Sequence, residues 1–161
     1  MTGTGRLPDL GGQLGPLIQA LPLAIQPRLM ARLERAAADR YRAWAAACLD
    51  PAAAEDLRAC AGREEDVAAR VETLSPPQLD ELRYFNEVLP TIAEAYRSAL
   101  DERPVNEQYA IQAAAERRGA AFWRFLASSV ADGPARETLH SCARLEELRA
   151  EFLEALVSRK T

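Results

Sequence analysis

The chain contains one helical segment twice, as CAGREEDVAARVETL at residues 60–74 and as CARLEELRAEFLEAL at residues 142–156. In both copies apolar residues recur every three or four positions, which is the period of an amphipathic helix. A cysteine, an alanine, a pair of glutamates and a closing leucine occupy matching places. The copies lie 82 residues apart, and this offset predicts a larger internal repeat.

The match extends upstream at the same offset. Glu34 falls on Glu116, and Asp50 falls on Asp132 across a loop that needs no gap. From position 34 to 74, 16 of 41 residues are identical to their counterparts. Alanine bias explains some of these identities, but it does not explain the paired Asp, Cys and Glu-Glu positions. The sequence therefore predicts two copies of a helical hairpin, residues 22–74 and 104–156.

Proline and glycine divide the remaining chain. Residues 1–21 contain several glycines and little apolar periodicity, and we expect a flexible tail there. SPPQLDEL at residues 75–82 predicts the start of a crossover helix within residues 75–103, with Ser75 as its cap. Alanine, leucine, glutamate and arginine dominate, so helix is favoured throughout. We predict an all-α protein with one domain over residues 22–161.

Composition excludes several functional classes. The net charge is -4 and basic residues are dispersed, whereas nucleic-acid binding requires a clustered basic surface. No apolar run reaches membrane-spanning length, and the N-terminal residues lack the pattern of a signal peptide. The three cysteines have neither metal-site spacing nor the density of a disulfide scaffold. We expect a cytoplasmic protein with no nucleic-acid or membrane partner.

Two helical hairpins joined by a helix-containing connection make a four-helix bundle with one long crossover. On these repeated Glu-containing hairpins, the chain resembles the ferritin-like superfamily, and within it the rubrerythrin type. In that family each hairpin provides a Glu from its first helix and a Glu-x-x-His from its second, and these bind two metal ions. The resemblance implies Glu34, Glu64, Glu116 and Glu146 as candidate metal ligands.

The chain departs from this family where the histidines should be. Val67 stands three residues after Glu64, and Arg149 stands three residues after Glu146. The only histidine, His140, is expected on a helix surface. Because both imidazole ligands are missing, we expect a degenerate site without a cofactor, and Fe or Mn is the alternative.

Four carboxylates on the apolar stripes of their helices need compensation, because burying an unpaired charge costs several kcal/mol. Three solutions remain open. A metal ion binds to the carboxylates; the guanidinium of Arg149 pairs with them; or crowding raises their pKa values until some are protonated.

Other residues carry weaker signals. Tyr41 and Trp123 occupy equivalent positions and are candidates for lining a pocket, although aromatic core packing explains them more simply. Cys60 and Cys142 are expected to be small buried apolar residues.

Three functions follow from these patterns. The first is a ferritin-like helical protein that has lost its metal chemistry and serves as a non-catalytic binding or oligomerisation module. The second is a di-metal carboxylate oxidoreductase acting on iron, peroxide or oxygen. The third is a bundle that binds an apolar ligand between its helices, in space left by alanines such as Ala38 and Ala120. The amphipathic crossover helix has an apolar stripe beyond the needs of four helices, so we also expect a homodimer.

Overall fold

The computed structural model of the chain describes residues 7–159, and no β-strand occurs in this range. Its helices are α1 (Leu10–Gln19), α2 (Gln26–Ala47), α3 (Pro51–Leu74), α4 (Glu81–Leu100), α5 (Val105–Ser129) and α6 (Pro134–Ser158). The prediction of an all-α fold is confirmed, while the ferritin-like arrangement stays a prediction. None of the described helices has both the length and the apolar character that a membrane crossing requires.

The chain forms two compact units. The α2/α3 unit is Leu21–Phe85 and contains α2, α3 and the start of α4. The α5/α6 unit combines the residues up to Ala20 with those from Asn86 onward, and so contains α1, the rest of α4, α5 and α6. In each unit the most extensive helix contact is between the two helices of one hairpin.

Local signals mark the ends of the hairpin helices. Asp50 caps α3, because its carboxylate accepts a hydrogen bond of 3.0 Å from the backbone N–H of Ala52. Pro51 and Pro134 lie in the first turns of α3 and α6, where their missing N–H groups cost nothing. Gly133 precedes α6 with a φ of 136°, a conformation that glycine adopts without strain.

The N-terminal region differs from the predicted tail. Residues 1–6 lie outside the described range, but Leu10–Gln19 forms α1. Asp9 caps this helix by accepting the N–H of Gly12, and Leu10, Leu14 and Ile18 recur every four residues and are buried. The four-residue apolar spacing and the cap outweigh the low helix propensity of the glycines.

The crossover helix also begins later than predicted. Ser75 ends α3 as its C-cap, with its N–H bonded to Val71 O, and α4 begins at Glu81. The carboxylate of Glu81 accepts the N–H of Gln78 at 3.1 Å. Because Pro77 disfavours helical geometry in the residue before it, the chain stays extended past Ser75 and Glu81 supplies the start signal.

Candidate functional site

In the α5/α6 unit, four residues of one α5 stripe meet two residues of α6. The α5 residues are Gln112, Glu116, Gly119 and Trp123, spaced by three or four positions, and the α6 residues are Glu146 and Arg149. Residues at these spacings share one helix face. The stripe faces the core, since Glu116, Glu146 and Arg149 are at most 2% exposed.

Arg149 lies between the two glutamates. Its Nε donates a hydrogen bond of 2.9 Å to Glu116 Oε2, and its Nη2 lies 3.0 Å from Glu146 Oε2. The other oxygen of each carboxylate accepts a hydrogen bond. Gln112 Nε2 donates to Glu116 Oε1 at 2.8 Å, and Trp123 Nε1 donates to Glu146 Oε1 at 2.9 Å. We call these five residues the Arg149 cluster.

Gly119 gives the cluster room. A Cβ atom at this position would lie 2.9 Å from both Cδ and Oε2 of Glu146, closer than unbonded atoms of this kind approach. The Glu146 carboxylate therefore packs directly against the α5 backbone, where it reaches the Trp123 indole.

The Arg149 cluster does not fit a di-metal centre as it stands. The guanidinium already contacts both carboxylates, and a dication there would be repelled by it. Within neither unit do three His, Cys, Asp or Glu side chains of the described residues group as metal ligands. The chemistry that the cluster offers is a buried, hydrogen-bonded ion triad.

The α2/α3 unit buries the other two candidate glutamates. Glu34 on α2 is 5% exposed and Glu64 on α3 is 0% exposed. Val67 and Tyr41 are completely buried as well, and the Tyr41 ring meets Trp44 edge to face with 5.5 Å between centroids. The four candidate glutamates are thus divided two and two between the units, each pair spanning one hairpin.

Four residues around the carboxylates of the α5/α6 unit differ from their counterparts in the other hairpin. At the offset of 82, Gln112, Gly119, Trp123 and Arg149 correspond to Met30, Ala37, Tyr41 and Val67. The α5/α6 unit therefore has two donor side chains, Gln112 and Arg149, where the α2/α3 unit has Met30 and Val67, and it has one fewer side chain because glycine replaces alanine. Tyr41 and Trp123 both carry a hydrogen-bond donor. The glutamates themselves are the same in both hairpins.

Surface ion pairs recur at the same offset. Arg35 donates hydrogen bonds to Glu72 from Nε and Nη2 at 3.2 and 2.6 Å. Arg117 donates to Glu154 from the same two atoms at 3.1 and 2.8 Å. In each pair the hydrogen bond to the glutamate raises the pKa of the arginine. Arg42–Glu65 and Arg124–Glu147 form a second matching set. All of these pairs are exposed, so each contributes little to stability.

The sequence pointed to Arg149 and Trp123 but missed Gln112 and Gly119. Gln112 had a usable signal, because it lies four residues before Glu116 on the same stripe. Gly119 had another, because glycine is costly within a helix and its counterpart is alanine. Tyr41 and Trp123 are buried, and His140 is exposed, as expected.

No protein-family model, no curated protein and no solved structure matches this chain.

Proposed function

We propose that this protein is a ferritin-like scaffold built from two copies of one helical hairpin, in which an arginine has replaced the metal centre. In this proposal the chain performs no oxidation chemistry. It serves as a binding or oligomerisation module.

The matching ion pairs support the repeat. Arg35–Glu72 and Arg117–Glu154 join the two helices of their hairpins at equivalent sequence positions, and both use Nε and Nη2 of the guanidinium. Independent helical hairpins have no reason to share such contacts at a constant offset. Common descent of the hairpins explains both the contacts and the identical buried glutamates.

The position of Arg149 carries the proposal. A metal centre provides positive charge between carboxylates, and in the α5/α6 unit a guanidinium provides it instead. Arginine is charged at all accessible pH values, and its planar group suits two carboxylates at once. A guanidinium that contacts both carboxylates occupies the place of a dication and would repel one.

The decisive experiment measures metal content after anaerobic addition of Fe(II) or Mn(II), followed by desalting. We expect negligible metal in the wild-type protein. The variant with Val67→His and Arg149→His restores the Glu-x-x-His pattern in both hairpins, and we expect it to bind metal. Arg144→His, at an exposed position on the same helix, controls for an added surface histidine and should bind none.

Two results would contradict the proposal. About two equivalents of metal per wild-type chain would favour the di-metal oxidoreductase. Failure of the correctly folded double-histidine variant to bind metal would remove the ferritin-like interpretation of the glutamates.

A further inference from the structure

Helix α1 docks on an apolar surface that α4 and α5 form within the same unit. Leu10 is 2% exposed. It packs in one buried cluster with two residues of α4 and one of α5, which are Ala99, Leu100 and Ile111. We call these three residues, together with Arg118 of α5, the α1 site.

Arg118 contacts the first turn of α1 in two ways. Its Nη2 donates a hydrogen bond of 2.8 Å to Oδ2 of Asp9, the N-cap of α1. Its aliphatic stem lies against Gly11, where an added Cβ atom would be 2.1 Å from Arg118 Cδ. At Gly15, one turn later, a Cβ atom would meet nothing within 4 Å. The α1 site therefore fits a helix with a carboxylate at its N-cap and no side chain two residues later.

The segment that forms α1 is a weak helix by itself. Its ten residues include three glycines and Pro16, which are the two poorest helix formers, and Pro16 has no N–H to donate to the Gly12 carbonyl. Isolated helices shorter than about 12–15 residues are marginal even with better sequences. Burial of Leu10, Leu14 and Ile18 therefore provides most of the order of α1. An element held by so few buried side chains opens locally more easily than the hairpin beneath it.

The connection after α1 allows it to leave its own chain. Residues 20–25 join α1 to α2, which belongs to the other unit. Pro22, Leu23 and Ala24 are exposed, so their torsions can change without disturbing a core. Fully extended, six residues span about 20 Å. Short connections of this kind are the hinges at which an element passes from one chain to another.

We propose that α1 of one chain docks on the α1 site of a second copy, so that two chains exchange this helix reciprocally. Each chain has one α1 and one α1 site, and a pair of chains therefore satisfies both. The exchanged helix makes the contacts already present within one chain, so no new complementarity is needed. The inference specifies the oligomerisation part of the proposed function and rests on that part, not on the loss of metal chemistry.

Exchange depends on protein concentration, because α1 of the same chain competes for the site. For a short connection the effective concentration of the tethered helix is about millimolar. Wild-type protein should therefore be monomeric at about 10 µM and partly dimeric at about 1 mM. Sedimentation and light scattering over this range measure the molar mass.

Reversing the Asp9–Arg118 pair between two chains tests exchange directly. Asp9→Arg brings two positive charges together, and Arg118→Glu brings two negative charges together, within each chain and within each homodimer. In the exchanged heterodimer the two new side chains face each other, and so do the two native ones. We expect the mixture to dimerise at a concentration at least about 10-fold lower than either variant alone. Added salt should reduce this difference.

Two controls accompany the mixture. Asp9→Arg combined with Arg118→Glu in one chain restores opposite charges within that chain and should dimerise like wild type. Asp56→Arg and Arg144→Glu reverse charges at exposed positions of α3 and α6. Mixing these two variants should give no more dimer than either variant alone.

Amide hydrogen exchange tests whether α1 detaches. The amides of α1 should be less protected than those of α5. Gly11→Ala should lower the protection of α1 further, because its Cβ would collide with Arg118. Gly15→Ala adds helix propensity in open space and should raise it. Neither substitution should alter the protection of α6.

A wild-type chain that stays monomeric up to about 1 mM would overturn the inference. A charge-reversed mixture with no more dimer than its components, or α1 amides as protected as those of α5, would do the same. Metal content reports separately on the loss of metal chemistry. Metal-loaded protein that exchanges α1 would refute that loss and leave the exchange intact, and metal-free monomer would do the reverse.

Discussion

Arg149 is buried between Glu116 and Glu146 and supplies the positive charge that both carboxylates contact. Burying two glutamates and one arginine in a low-dielectric interior has a large desolvation penalty. The attraction between the charges offsets this penalty only while all three side chains are present. We expect Arg149→Met to lower the free energy of unfolding by about 3–5 kcal/mol, because it leaves two buried carboxylates close together. Urea denaturation followed by far-UV circular dichroism measures the change.

Rescue distinguishes charge imbalance from loss of packing. Adding Glu116→Gln and Glu146→Gln to Arg149→Met removes the uncompensated charge, so most of the lost stability should return. Arg144→Met, at an exposed position of α6, should change stability by no more than about 0.5 kcal/mol. If the triple variant is no more stable than Arg149→Met, the charges are not the reason that Arg149 matters.

Gly119 should resist replacement by alanine although it lies within a helix. Alanine normally stabilises a helix interior by about 1 kcal/mol relative to glycine. At this position its Cβ would collide with the Glu146 carboxylate, and overpacking of this kind costs about 1–3 kcal/mol. Gly119→Ala should therefore be net destabilising in thermal unfolding.

Gly62 is the matched control, since it lies within α3 and a Cβ there meets nothing within 4 Å. Gly62→Ala should raise stability by about 0.5–1 kcal/mol. Equal, favourable effects at both glycines would show that Glu146 does not need the space at Gly119. Tryptophan emission gives a second readout, because displacement of Glu146 should alter its hydrogen bond to Trp123.

The sequence predicted which helix face a residue occupies, but it did not predict which side chains form contacts. The repeat placed Glu116, Glu146 and Arg149 on facing helices, since helical periodicity determines the side of the helix. It did not indicate that Gln112 would donate to Glu116, because the outcome depends on side-chain torsions that no spacing encodes. The role of Gly119 similarly depends on how closely two helices approach.

At the scale of helices, the start of α4 depends on a pair between Arg28 and Glu81. The two hydrogen bonds from Arg28 lower the pKa of Glu81 below its ordinary value of 4.5. A lowered carboxyl pKa stabilises the fold fully above the unfolded pKa, and this stabilisation is lost as the pH falls through the lower folded value. Glu81→Gln should therefore cost about 1–2 kcal/mol near neutral pH.

The pH dependence tests this assignment. The stability difference between wild type and Glu81→Gln, measured by urea denaturation, should shrink as the pH is lowered from about 6 toward about 3. Glu55→Gln, an exposed position of α3, should show a small difference at neutral pH. A difference for Glu81→Gln that stays constant over this range would mean that ionisation of Glu81 contributes no stability.

Helix boundaries show which local signals dominate. Proline, aspartate and glycine mark ends of the hairpin helices, as at Asp50, Pro51 and Gly133. The α1 helix was missed because five glycines in the first 15 residues suggested a tail, although Leu10, Leu14 and Ile18 carry a helical period. Burial of those three residues, which the sequence alone does not reveal, supplies the stability that propensity lacks.

At the scale of the whole molecule, the path of the chain links the two units. The chain begins in the α5/α6 unit with α1, forms the α2/α3 unit, and returns within α4. Leu10 of α1 packs in a buried cluster with Ala99, Leu100 and Ile111. The α5/α6 unit is therefore complete only when residues from both ends of the described chain come together. Because this closes a long loop, the entropic cost of forming the unit is higher.

This topology predicts that a mutation in α1 mainly destabilises the α5/α6 unit, although α5 and α6 lie far from α1 in the sequence. Leu10→Ala should destabilise by about 2–5 kcal/mol, and the loss should be seen first by Trp123 in the α5/α6 unit. Trp44 lies in the α2/α3 unit, so the Trp44→Phe background isolates the signal of Trp123, and the Trp123→Phe background isolates that of Trp44. Leu57→Ala, at a fully buried position of α3, should shift the Trp44 transition more. If both tryptophans report one shared midpoint for both mutations, the two units unfold together, and the contacts that tie α1 to the α5/α6 unit stabilise the entire chain.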